Sequence, residues 1–146
     1  MTTTSHAVTG ALIAALVKQP LLAIPLAFIS HFVCDTLPHF GLGMKFGSRK
    51  MYYWLVIDGL VALGIAVFLI RIGVASPVLL AVCGFVAMSP DLAWLYYGLR
   101  GEHGNPKEYG LLSRFHSKIQ WYEKPQGILV DLIWSFIMVA GIVSLQ

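Results

Sequence analysis

The chain has 146 residues, 58% of them hydrophobic and only 12% charged, with a formal charge of +3. Its length suits a single domain, but so few charged residues leave too little polar surface for an ordinary water-soluble one. Lipid is therefore the expected solvent for much of the chain, and a nucleic-acid partner is not expected, because Glu102, Glu108 and Glu123 interrupt the basic residues of the longest polar stretch.

Residues 7–17 form an apolar run too short for a bilayer core roughly 30 Å thick, which takes about 20 helical residues to cross. Lys18-Gln19-Pro20 is a turn signal, and a second apolar run follows at 21–37. Together they predict a helical hairpin over residues 1–40. A cleaved signal peptide is disfavoured, because residues 1–5 lack a basic start and no cleavage site precedes Lys18.

A basic loop over 41–51 carries Lys45, Arg49 and Lys50 without an acid. Two apolar runs, 52–70 with Asp58 and 76–99 with Asp91, predict membrane spans that form a helical hairpin over 52–99. A second basic loop, 100–125, carries Arg100, Lys107, Arg114, Lys118 and Lys124, and its stretch 101–110 reads as solvated. A last span, 126–145, contains Asp131, so 126–146 is the C-terminal transmembrane helix. The expected fold is thus an all-α membrane protein in one domain, a short N-terminal hairpin plus three transmembrane helices in a small bundle. Short loops rich in Lys and Arg stay inside, so both basic loops are expected to be cytoplasmic and the C-terminus outside. Trp54, Trp94, Trp121 and Trp134 with Tyr52, Tyr53, Tyr96 and Tyr97 fall mostly near span ends, where an interfacial aromatic belt explains them. Cys34 and Cys83 lie inside apolar segments without metal-finger spacing and read as packing residues.

Measured from the inside ends of the spans, the ionisable residues fall at one depth. His6 opens the first short helix. His31, Asp35 and His39 lie on or just beyond the last turns of the second. Asp58 is about 9 Å into its span, Asp91 is near the inside end of the next, His116 is in the basic loop, and Asp131 starts the last span. Charges at membrane depth cost roughly 2.5–3.5 kcal/mol each at the bilayer centre. The spans hold almost no Lys or Arg to compensate, which leaves a bound cation, protonation or a water-filled cavity.

His31 and Asp35 are four apart and share one helix face, as two ligands of one metal require. Pro38 is expected to end that helix and let His39 turn off its end. In Ser89-Pro90-Asp91 a proline can break the span and free backbone carbonyls beside an acid. A set of His and Asp ligands suits a divalent metal, with zinc the first expectation and manganese or iron as alternatives. More than four candidate ligands would admit two ions about 3.5–4 Å apart, an arrangement that supports phosphoester hydrolysis.

His6 with Gly10, the block His31-x-x-x-Asp35-x-x-Pro38-His39, Pro90-Asp91, and His116-Ser117 occur in an order that resembles the predicted membrane-bound metal-dependent hydrolases, also called LexA-binding inner-membrane hydrolases. The resemblance covers most of the chain. It implies a prokaryotic inner-membrane protein in which His6, His31, Asp35, His39, Asp91 and His116 are metal or catalytic positions.

The leading expectation is a membrane-embedded metal-dependent hydrolase whose site opens at the cytoplasmic interface. His31, Asp35 and Asp91 would be ligands, while His6, His39 and His116 would be ligands or general acid/base groups. A phosphoester or lipid-linked substrate is the natural expectation for a site at that depth, with membrane lipid as the constant partner. One alternative is a proton- or ion-coupled carrier with a relay of Asp58, Asp91 and Asp131, expected to work as a homo-oligomer. Another is a noncatalytic membrane protein with a structural metal. No nucleophile elbow, phosphate loop or dinucleotide fingerprint is present.

Overall fold

The structure, a computed structural model, describes residues 1–41, 43, 48–99 and 110–146, apart from the side chains at 94 and 97–99. Lys45, Arg100, His103 and Lys107 of the basic loops therefore lie outside the described residues, as do the side chains of Trp94 and Tyr97. The fold is all-α, as expected. In chain order the helices are α1 (Thr3–Val17), α2 (Pro20–Asp35), α3 (Arg49–Ile72), α4 (Pro77–Met88), α5 (Leu92–Leu99), α6 (Gly110–Ile119) and α7 (Ile128–Val143). Among the described residues, two helical stretches are long and apolar enough to cross a membrane, Arg49–Ile72 and Pro125–Val143.

Helix α1 is the hub, packed against α4, α2, α7 and α3. A helix with apolar or small residues all round has no face to give to water and goes inside. Its Ala11, Ala14 and Ala15 join Ala23 and Ala27 of α2 and Leu79, Leu80, Cys83 and Ala87 of α4 in the core. Small residues let these backbones approach closely. A Cβ on Gly10 would stand 2.3 Å from the Cys83 carbonyl oxygen, and one on Gly84 would stand 3.3 Å from that of Ala7. Each glycine thus makes room for the other helix.

The turn expected at Lys18-Gln19-Pro20 is present. Lys18 takes the left-handed conformation (φ 56°), Gln19 caps α2 by accepting from Leu22 N–H, and Pro20 occupies the first helical turn, where its missing N–H costs nothing. On α2 the buried residues Ala23, Ala27, His31 and Asp35 recur every fourth position, which stacks them on one face. The opposite face exposes Leu22, Leu26, Ile29 and Val33.

Four expectations are revised. The run 76–99 is not one continuous helix: α4 gives way at Ser89–Asp91 to a 3-10 turn before α5, because Pro90 has no N–H for the helical ladder. The loop 41–51 is shorter than expected, since Arg49 already begins α3 behind the Ser48 cap. The loop 100–125 contains helix α6, and it ends in a strand. That strand, β2 (Glu123–Lys124), pairs in parallel with β1 (His39–Phe40) directly after α2, a long-range pairing with no local signal. Finally, Trp134 is not only an interfacial residue, for its indole N–H donates to Thr9 Oγ1 at 2.9 Å.

Candidate metal centre

Three elements bring four side chains to one point. The α2 stripe presents His31 and Asp35, the turn after α4 presents Asp91, and α6 presents His116. One ligand atom from each lies within 4.8 Å of all the others. The i, i+4 pairing of His31 with Asp35 is realised, with His31 Nε2 3.2 Å from Asp35 Oδ2. His116 Nε2 is 2.6 Å from the same oxygen and 3.0 Å from His31 Nε2. Asp91 Oδ1 is 3.7 Å from each of those imidazole nitrogens.

The protonation of His31 follows from its neighbour. A carbonyl oxygen only accepts, so His31 donates through Nδ1–H to Ala87 O at 2.7 Å. In the neutral ring Nε2 then carries a lone pair, aimed at the other donor atoms. Such a backbone partner at the outer nitrogen is the usual means of orienting a metal-binding histidine. A single shared proton can join one pair of these crowded atoms, whereas a cation among them would coordinate several together.

His6 adds to the case. Its ring is stacked on that of His31 with centroids 4.0 Å apart, and its Nε2 is 3.1 Å from Asp35 Oδ1 and 3.9 Å from Asp91 Oδ2. The residue is fully buried, and among the described residues neither ring nitrogen meets the geometry of a hydrogen bond, Asp35 Oδ1 being an ion-pair neighbour of Nε2. An unpaired buried polar group costs about 1–3 kcal/mol, which a cation at Nε2 would offset. The Met1 amino group is also buried against Asp35 Oδ1. The two imidazoles and two carboxylates of the cluster, with the His6 ring beside them, could hold a metal ion.

His39 stands outside the group of four. Buried on β1, it donates through Nδ1–H to Leu37 O at 2.7 Å. Gly127 lets the chain pass here, since a Cβ on it would lie 2.1 Å from the His39 carbonyl.

Asp58 and Asp131 find partners that sequence reasoning did not consider. Asp58 accepts from the N–H groups of Thr3 (2.5 Å) and Thr4 (3.2 Å) and from Thr4 Oγ1. Asp131 accepts from Ser5 Oγ (3.1 Å) and Phe40 N–H (2.9 Å), with a longer contact to Thr2 N–H. The first N–H groups of a helix have no partners within it and carry the positive end of its dipole. The compensation sought among Lys and Arg therefore comes from backbone N–H and hydroxyl groups, and it holds the start of α1, with His6 one turn on, against α3 and α7.

Gln120 went unremarked in the sequence. Its side-chain amide donates to Asp35 Oδ2 at 3.3 Å and stands 3.2 Å from His116 Nε2. The signal was its position four residues after His116, visible only once that segment is known to be helical.

Comparison of the chain with protein-family models, curated proteins and solved structures finds no match.

Proposed function

We propose that the chain is an integral membrane protein that holds a divalent metal, zinc foremost, in the His31–Asp35–Asp91–His116 cluster and hydrolyses a phosphoester or lipid-linked substrate at the cytoplasmic interface. The observation that carries this reading is the convergence of those four ligand atoms within 4.8 Å beside the buried ring of His6. The resemblance to membrane-bound metal-dependent hydrolases points the same way.

The membrane part rests on a bundle turned inside out. Thr4, Ser5, His6, Thr9, His31, Asp35, His116 and Asp131 are buried, while Leu21, Val56, Leu60, Leu63, Leu129, Ile133 and Phe136 are exposed. Contiguous apolar surface on that scale needs a cover. Helix α6 follows the same pattern: Ser113 and His116 face inward while Leu111, Leu112 and Phe115 face out beside Arg114 and Lys118, as in a helix lying in a membrane interface.

A divalent metal, when bound, supplies Lewis-acid polarisation and lowers the pKa of water. The chain's own residues orient and exclude. Ala87 O fixes His31, Gln120 steadies Asp35 and His116, and burial keeps bulk water from all but Asp91. The Met1 amino group and the His6 ring both stand beside Asp35 Oδ1, where either could hold a proton. The carrier reading has less support, because Asp58 and Asp131 are engaged in holding α1.

The test is metal content by mass spectrometry on the purified protein and on folded His31→Ala and Asp35→Ala variants. Stoichiometric metal in the parent, absent from both variants, is the expected result, to be followed by hydrolysis assays with that ion. A parent without metal under retaining conditions would sink the reading. Metal without turnover on any phosphoester or lipid would favour a structural cation.

A further inference from the structure

The four ligands differ in one respect. His31 and Asp35 are fully buried and His116 is 2% exposed, but the Asp91 side chain is 26% exposed. Anything that reaches the cluster must come from the side of Asp91.

That side opens into a cavity of about 370 Å³ between α3 and α7, both of which pack on α1. Such a volume lies within the roughly 300–1,000 Å³ of small-molecule sites. Its lining is mixed: Asp91, Glu123, Asp58, Asp131 and the first residues of α1 are polar, while Trp54, Val61, Ile128 and Leu132 are apolar. Val61 is 50% exposed and Leu132 60% exposed, so apolar lining reaches the surface on α3 and α7, which among the described residues lie in the two stretches long and apolar enough to cross a membrane.

We propose that this cavity binds a single-chain amphiphile, with its head at Asp91 and its hydrocarbon chain lying against Val61 and Leu132 after lateral passage between α3 and α7. The proposal rests on the metal-centre reading for the role of Asp91 and names the substrate class of that site. A wholly water-soluble substrate would gain nothing from the apolar walls. A one-chain lipid gains by covering them, about 25 cal/mol for each Å² of apolar surface removed from water, and in a bilayer it gains a fixed place for its head.

The probe is a lysophosphatidylcholine with a photoreactive diazirine in its acyl chain, added to the full chain in phosphatidylglycerol nanodiscs. Adducts are then mapped by mass spectrometry. The expected result is labelling concentrated at Val61 and Leu132 over Phe136, which is exposed on α7 and does not line the cavity. Unlabelled hexadecylphosphocholine should compete, and a short-chain phosphocholine should not. Val61→Trp, or Ile128→Trp if the first does not fold, should reduce cavity labelling about tenfold, the equivalent of 1.4 kcal/mol. Labelling spread evenly over the outward faces of α3 and α7, or unchanged in the folded variants, would overturn the proposal. The readout needs no metal. Cavity labelling in a metal-free protein would remove the hydrolase reading and keep this site, while even labelling of a metal-loaded protein would do the reverse.

Discussion

Two sets of carboxylates sit around α1, and they differ in what faces them. Asp35 and Asp91 look onto imidazoles whose nitrogens crowd together at hydrogen-bond distance. Asp58 and Asp131 look onto N–H and hydroxyl groups at the start of the same helix. The second set is complete as it stands, because donors meet acceptors. The first gathers three imidazoles and two carboxylates around one point, where Met1 and Gln120 also donate to Asp35, and that convergence of possible metal ligands is what the second set lacks. The distinction comes from partners and not from residue type or burial, for Asp35 and Asp131 are both buried.

The largest effect is expected on the imidazole side. Asp35→Asn removes one anionic oxygen from the point where three histidines meet, and metal affinity should fall by more than about 100-fold, beyond the 10–100-fold typical of outer-shell losses. Metal titration followed by mass spectrometry measures this, and an unchanged affinity would erase the distinction between the two sets.

Next comes the helix on which both depend. Gly10→Ala forces a Cβ toward the Cys83 carbonyl, and overpacking of this kind costs about 1–3 kcal/mol. Thermal unfolding in detergent should register the loss. A variant as stable as the parent would show that α1 can shift without cost to either set.

Asp58→Ala should cost about 0.5–2 kcal/mol, as other lost caps do, while metal stoichiometry at saturating ion stays at the parental value. Unfolding and metal content measured on one sample would expose the comparison to failure, since loss of metal here would move Asp58 into the binding set. The smallest effect belongs to Gln120→Leu, which keeps the helix and removes the amide. Metal affinity should drop by about tenfold, the low end of outer-shell losses, with unfolding unaltered. A drop as large as that of Asp35→Asn would make Gln120 a ligand.

Much of the fold was legible because it rests on local rules. The all-α class followed from apolar runs, the hairpin turn from Lys18-Gln19-Pro20, and the shared face of His31 and Asp35 from the helical period. Proline marked the break at Ser89–Asp91, although the run was still read as one span. Less visible were the pieces between helices. The β1–β2 pairing joins residues 39–40 to 123–124, and α6 carries too few apolar residues on its inward face to resemble a packed helix. His116 was therefore read as a loop residue, yet it is buried on α6, 2.6 Å from Asp35.

By itself, the sequence determined the composition of the site and the apolar surroundings of most of its ligands, because hydropathy and helical spacing are properties of neighbours along a chain. Only the tertiary structure decided which acids meet histidines and which meet backbone. A carboxylate's role depends on the groups opposite it, and those come from helices far away in sequence. Asp58 and Asp91 are each a single acid in an apolar run, and only Asp91, beside Pro90, was read as a metal ligand. The start of α1 takes one of them, and the histidines of α2 and α6 face the other.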